Sequence, residues 1–198
     1  MTLIELIQQL NRLARDHKKR VFTLKEMAAL AGESRPSAAM TLLRGAKKGL
    51  VGRVGNLWLN LMDPPEILDV GLSLVSPSYL SFESALYRHN LLSQSPRGEL
   101  TMAATGRPRR FQTPLGAIRF VHLQPSLFFG FDARRIAFPE KAWLDLLYIR
   151  GRLGRRHLVS EKFYLKGLNR KRLQDFAGRF PEWVKVAVNS GSNPARGG

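Results

Sequence analysis

Five carboxylates, Glu83, Glu99, Asp132, Glu140 and Asp145, and two histidines, His89 and His122, are residues of the second part of the chain that could hold a metal or move a proton. Metal chemistry needs several such groups converging on one ion. Glu140 and Asp145 differ by five positions, about 500° of helical rotation or roughly 140° around the axis, so one helix carrying both aims them apart. The chain has four histidines with no ligand spacing among them and no cysteine, which excludes disulfides, thiolate metal sites and cysteine nucleophiles together. Neither histidine accompanies a serine in a nucleophile motif, and no glycine-rich phosphate loop follows a strand, Gly151-Arg152-Leu153-Gly154 being too short to count. Glu140 fits better as a favourable acid in a helix's first turn, and Lys141 with Asp145 as an i,i+4 pair. These residues imply no enzyme, no metal and no cofactor.

The composition favours a different chemistry. Thirty-two Lys and Arg against fifteen Asp and Glu give 198 residues a net charge of +17, far above that of ordinary soluble domains. Residues 1–61 hold eleven basic and four acidic side chains, net +7, and the remainder carries +10. Such a surplus repels itself unless a polyanion is the partner, and nucleic acid leads; the plain alternative is a solvated basic surface. A hydrophobic content of 44% is ample for packed cores. The uncharged stretch Val70 to Phe82 is broken by Ser73, Ser76 and Pro77, short of the ~20 apolar residues of a membrane span. Met1-Thr2-Leu3-Ile4-Glu5 lacks the basic-then-apolar layout of a secretion signal, so a cytoplasmic location is expected.

The sharpest pattern lies between Ser34 and Leu50. With residues placed at about 100° each, Ala39, Leu42, Leu43, Ala46 and Leu50 form an inner stripe. Opposite them run Ser37, Thr41, Arg44 and Lys48, with Ser34 above and Lys47 at the margin. That face holds donors and no carboxylate. A major groove about 12 Å wide admits such a helix, short hydroxyls near its start and cations further along meeting phosphates and base edges. The same composition also suits a plain amphipathic surface helix.

The neighbouring elements favour the recognition helix. Thr2 with Glu5 forms a capping box that opens a helix buried along Leu3, Leu6, Ile7, Leu10 and Leu13, closed by the basic cluster His17-Lys18-Lys19-Arg20. After the extended link Val21-Phe22, Thr23 and Glu26 repeat the box for a compact second helix that Gly32 stops. Ser34 caps the third helix, with Arg35 and Pro36 in its first turn. Leu50 to Val54 and Leu57 to Leu61 then read as strands around Gly55-Asn56, a two-residue primed hairpin. This hairpin is a wing, with Arg53 and Asn56 at or beside its tip. Three helices and a hairpin in that order predict a winged helix-turn-helix over residues 1–61. Trp58 is expected to pack against a second domain rather than to stack on a base.

Met62-Asp63-Pro64-Pro65 marks the boundary. In residues 66–189, Ser81 caps a helix through His89, Glu99 to Thr105 reads as a strand, Phe111 to Thr113 and Ala117 to Leu123 form a hairpin through Pro114-Leu115-Gly116, and Pro139 starts a helix through Trp143 and Leu147. The expected class is α+β, a winged helix-turn-helix followed by a mixed α/β domain. A second basic tract includes Arg155, Arg156, Lys166, Arg170, Lys171 and Arg172; it suits RNA, an acidic partner or flanking DNA, and equally a solvated loop and helix edge. Residues 190–198, rich in Gly, Ser and Asn, read as a disordered tail.

From Pro77 onward the chain resembles the AbiEi antitoxin family of type IV toxin–antitoxin and abortive-infection systems. Three segments carry the resemblance: Tyr79-Leu80-Ser81-Phe82-Glu83-Ser84-Ala85-Leu86 with His89-Asn90-Leu91, Phe111-Gln112-Thr113-Pro114-Leu115-Gly116, and Phe138-Pro139-Glu140-Lys141-Ala142-Trp143-Leu144-Asp145-Leu146-Leu147-Tyr148. Asn90 stands where glycine is expected after the histidine, a departure that leaves the helix end intact. The resemblance implies an antitoxin whose first domain represses its own operon on double-stranded DNA at inverted repeats. It further implies a second domain that counters a nucleotidyltransferase-like toxin, with or without stable contact. The alternative is a winged-helix repressor with a ligand- or partner-sensing second domain.

Overall fold

The computed structural model describes residues 1–92, 98–152 and 167–189. Its elements are α1 (Leu3–Asp16), β1 (Val21–Thr23), α2 (Leu24–Ala31), α3 (Arg35–Lys47), β2 (Val51–Val54), β3 (Leu57–Asn60) and α4 (Ile67–Leu74), then β4 (Ser78–Leu80), α5 (Phe82–Arg88), β5 (Glu99–Ala104), β6 (Arg109–Thr113), β7 (Gly116–His122), a 3-10 turn at Pro125–Leu127, α6 (Pro139–Arg152), α7 (Arg170–Ala177) and α8 (Glu182–Asn189). The fold is α+β, with a three-stranded sheet ordered β1-β3-β2 and a four-stranded sheet ordered β4-β5-β7-β6. By their contacts, Met1–Ser76 with Phe111–Ile118 form one unit, and Pro77–Arg110 with the residues from Arg119 onward form another.

In the first unit the helix ends follow local chemistry. The Glu5 N–H donates to Thr2 Oγ1 at 3.2 Å while the Thr2 N–H donates to Glu5 Oε2 at 2.9 Å. Thr23 and Glu26 repeat this reciprocal pairing, and α2 ends at Gly32 with φ 63, a conformation that is cheapest for glycine. Val21-Phe22 proves to be more than a link: β1 pairs antiparallel with β3, Phe22 opposite Trp58. The wing follows as expected, β2 pairing with β3 from Val51↔Asn60 to Val54↔Leu57, and Gly55 at the turn has φ 57, as a primed hairpin requires. This is the winged-helix arrangement. Leu6, Leu10, Leu13, Phe22, Met27, Leu42, Val51 and Trp58 form its core. Trp58 therefore packs inside the winged helix itself, correcting the expectation that it meets a second domain; its cross-strand neighbour Phe22 accounts for the difference.

Helix α3 is rolled relative to expectation. Its buried face is Ala38, Thr41, Leu42 and Gly45, whereas Leu43 is 44% and Met40 60% exposed. The buried face is thus turned by roughly 100° from the stripe that side-chain hydrophobicity marks out. Two contacts explain the turn. A Cβ on Gly45 would lie 2.6 Å from Leu6 Cδ2, so α3 approaches α1 where it has no side chain. Thr41 Oγ1 donates to the Met1 carbonyl at 2.8 Å, which satisfies the hydroxyl in a buried position. A further helix, α4, arises in a segment to which the sequence assigns no element; Glu66 at its start makes no side-chain cap, so the usual signal is missing.

In the second unit, β4 pairs antiparallel with β5 from Ser78↔Ala104 to Leu80↔Met102. Residues Glu140 to Tyr148 of α6 are all buried, the pattern of a helix enclosed on every side. At the end of α5, Asn90 takes φ 58, and the Leu91 N–H donates to the Leu86 carbonyl at 2.9 Å. This left-handed C-terminal turn favours glycine and tolerates asparagine best among the others. Accordingly Asn90→Ala should lose about 1 kcal/mol of stability and Asn90→Gly none; urea midpoints measure both, and equal midpoints for the alanine variant and the wild type would contradict this account.

Candidate nucleic-acid interface

The outward face of α3 carries Arg35, Ser37, Arg44, Lys47 and Lys48, all exposed, with exposed Ser34 at its cap. Thr41 drops out of the expected contact set, because it is fully buried. The Arg44 guanidinium leans back across the helix, donating to the Met1 carbonyl at 3.2 Å and to Thr41 Oγ1 at 3.0 Å. Lys47 and Lys48 stand one turn further on, outside the ion pairs among the described residues. Met40 and Leu43, absent from the sequence-derived set, sit among these polar residues; a backbone-contact signal from Gly45 would have been needed to find them.

One acid borders this face. Glu33 receives the Met1 ammonium and the Ser37 hydroxyl, the latter at 3.0 Å. The ammonium first, and Ser37 with it, hold the Glu33 carboxyl below its ordinary range, so its charge is compensated within the protein. On the wing, Asn56 is exposed at the tip. Arg53 Nε donates to the Gly55 carbonyl at 3.3 Å, and the guanidinium lies 5.7 Å from the centroid of the Trp58 ring. The stacking holds the cation beside the wing.

The basic cluster after α1 is less available than its sequence implies. Lys19 pairs with Glu26, and Arg20 Nε lies 2.9 Å from Asp63 Oδ2. Burial pushes the Glu26 carboxyl up, but the Lys19 ammonium and Thr23 outweigh it and hold the group below its ordinary value. Lys18 remains exposed. In the second tract, Arg155, Arg156 and Lys166 lie outside the described residues, as does the 190–198 segment. Arg170 and Lys171 are exposed on the first turn of α7, while Arg172 packs its guanidinium 4.8 Å from the Phe138 ring and 3.6 Å from Glu140 Oε2.

The carboxylates that could have gathered around a metal are each engaged separately. Glu83 accepts from Arg150 at 2.7 Å, Glu99 from Arg110 at 2.7 Å and Arg119 at 2.9 Å, Asp132 from the Ile136 N–H at 2.9 Å, and Glu140 from the Asn169 N–H at 2.7 Å. Glu140 is buried to 2% exposure, so it does more than complement a helix start. His89 and His122 donate to the carbonyls of Ala137 and Gly106 at 2.8 and 3.0 Å.

Asp145 lies at the centre of a polar cluster with no exposed surface. Tyr79 and Ser81 donate their hydroxyls to Asp145 Oδ2 at 2.8 and 2.7 Å, and Lys141 pairs with Oδ1 while reaching the Tyr79 hydroxyl at 2.8 Å. The Lys141 ammonium also lies 4.9 Å and 5.2 Å from the ring centroids of Phe129 and Phe180, where their faces attract it. Burial pushes Asp145 up and Lys141 down, and drives the Tyr79 phenol far above its ordinary value. Ser81 thus occupies the cap position of α5 without capping it; its hydroxyl serves Asp145 instead. The i,i+4 pair anticipated from sequence exists, but the flanking Tyr79 and Ser81 and its complete burial went unforeseen. The signal was present in the apolar residues on all sides of Lys141 and Asp145 along α6.

No family model and no curated protein matches the chain. Among solved structures it resembles the crystal structure of the RV2827C protein from Mycobacterium tuberculosis, with 16% identity, a TM-score of 0.55, and coverage of 94% of this chain and 77% of that one. The likeness is one of fold. No helix among the described residues is long and apolar enough to cross a membrane.

Removing one member of a buried ion pair strands the other in a low-dielectric interior, at a cost of about 3–5 kcal/mol, whereas replacing both with apolar residues can be neutral. Lys141→Met and Asp145→Leu should each destabilise by about that amount, and the double variant should regain most of the loss. Denaturant titration of the three proteins checks this; strictly additive losses would show that the two charges do not depend on each other.

Proposed function

We propose that this chain is a DNA-binding antitoxin, which represses its own operon by gripping duplex operator DNA at inverted repeats and counters a nucleotidyltransferase-like toxin encoded beside it. The DNA half of the reading rests on one observation: the solvent-facing side of α3 presents Arg35, Ser37, Arg44, Lys47 and Lys48 without an intervening acid, next to a wing carrying Arg53 and Asn56. The helix enters the major groove, and Ser34, Arg35 and Ser37 at its start meet phosphates with hydroxyls and a guanidinium. Lys47 and Lys48 meet phosphates as point charges further along, and the wing reaches the neighbouring backbone or minor groove. Lys18 extends the same basic surface.

The antitoxin half is supported by the three segments that resemble the AbiEi family. Two of them supply Tyr79 and Ser81 on one side, and Lys141 and Asp145 on the other, of a single buried cluster. Residues far apart in the chain are thereby held together in the second unit, which is what a shared fold demands of a shared pattern. Neutralisation is carried by that unit, with no reaction catalysed by the chain.

Each phosphate contact adds about 0.9 to the slope of log affinity against log salt. Binding to the native promoter should therefore fall steeply between low and physiological salt, and Lys47→Ala with Lys48→Ala should lower the slope by about 1.8. Fluorescence anisotropy across a salt series measures this; a flat response in the wild type would end the DNA reading. In cells carrying the adjacent toxin gene, the same double variant should lose repression of a promoter fusion and keep its rescue of growth. Retained repression would remove α3 from the interface, and rescue lost in folded protein would tie neutralisation to DNA binding.

A further inference from the structure

The outermost line of α3 is only partly cationic. Met40 is 60% and Leu43 44% exposed, and the roll of the helix puts exposed Pro36 and Lys47 on the same line and exposed Arg44 beside it. Isolated exposed apolar residues need no explanation, but two large ones at an i,i+3 spacing, with Arg44 to one side and Lys47 one turn on, form a small apolar patch with a basic rim along part of its edge. A protein partner would have to bury that rim against compensating acids, while a duplex supplies phosphates on both walls of the major groove and apolar groups on its floor. The only apolar groups there are the C5-methyls of thymine. The charge complementarity selects DNA.

Resting on the reading of α3 as a recognition helix, we propose that Met40 and Leu43 read operator sequence by packing against thymine C5-methyl groups on the groove floor. Three residues of helix advance about 4.5 Å, close to the rise of one base-pair step of about 3.4 Å, so the two side chains reach neighbouring steps. Their contribution is discrimination. The flanking cations bind any duplex, because phosphates carry no sequence, whereas a methyl present on thymine and missing from cytosine distinguishes one pair from another.

Deoxyuridine tests this directly, since it pairs as thymidine does and lacks only the methyl. Duplexes selected by the full-length wild type from a randomised library are resynthesised with each thymine replaced singly by uracil, and titrated with wild type, Met40→Ala, Leu43→Ala and the double variant. Both substitutions are on the exposed face and keep a strong helix former, so the fold is retained. For the wild type, one or two positions should lose affinity about four-fold on removal of the methyl, the change expected from one buried carbon. The double variant should bind thymine and uracil duplexes alike at those positions, with its salt dependence unchanged. Uracil insensitivity at every position, or an equal uracil penalty in wild type and double variant, overturns the inference while leaving DNA binding in place. A wild type that selects no duplex overturns both it and the reading on which it rests.

Discussion

The contact between α1 and α3 at Gly45 sets what the winged helix can present to a ligand. A helix laid on another through side chains keeps its distance; here the position that a Cβ of residue 45 would occupy is already taken, 2.6 Å away, by Leu6 Cδ2. The two helices therefore approach along the line Ala38, Leu42 and Gly45, small residues around one leucine, and Leu6 fills the space that glycine leaves. The roll of α3 follows from this approach, because no other face of the helix would admit Leu6 so closely. Thr41 is carried inward with it and finds the Met1 carbonyl, while Met40 and Leu43 are carried outward. A rigid-body choice made in the core thus selects the side chains offered to solvent, and the outward face of α3 is a property of its packing as much as of its polar residues.

The parts of the fold that were legible in the sequence are those governed by local chemistry. Two capping boxes, a left-handed Gly32 and the Gly55-Asn56 turn each commit their backbone through bonds spanning two to four residues, and each appears where its residues place it. The roll of α3 was not legible, because it depends on a contact 39 positions away in the chain and on an atom that glycine lacks. A scale that scores side chains assigns Thr41 to water and Leu43 to the core, and inverts both. Trp58 was misplaced for a related reason: its partner Phe22 lies on β1, a strand of three residues whose pairing leaves no periodic trace. Of the expected DNA-contacting set, Ser34, Arg35, Ser37, Lys47, Lys48, Asn56 and Lys18 face solvent as anticipated, whereas Lys19 and Arg20 are drawn into ion pairs and Thr41 into the core.

The second unit depends on a different kind of constraint. An apolar interior would disfavour both charges of Lys141 and Asp145, and a helix pair on a surface would contribute only a few tenths of a kcal/mol. What makes the buried pair tolerable is the completeness of its surroundings: two hydroxyls for the carboxylate, and for the ammonium a phenol oxygen and the faces of aromatic rings. Such a set is demanding of geometry. A shift of β4 against α6 would break several of these bonds at once, so the cluster specifies the register between the two more sharply than methyl packing would.

Charge accounts for the remaining balance between the parts. Of the fifteen acidic residues, Glu26, Glu33, Asp63, Glu83, Glu99, Glu140 and Asp145 already face a cation within the protein. Internal pairing therefore cannot reduce the surplus of +17; it only determines which cations are left outward. After α1 the pairing draws in Lys19 and Arg20, and at the start of α3 the Met1 ammonium faces the Glu33 carboxylate. The cations left outward on α3 stand beside exposed Met40 and Leu43. On such a surface, attraction to any polyanion would scale with the cations and fade with salt, while uncharged contacts would not be screened.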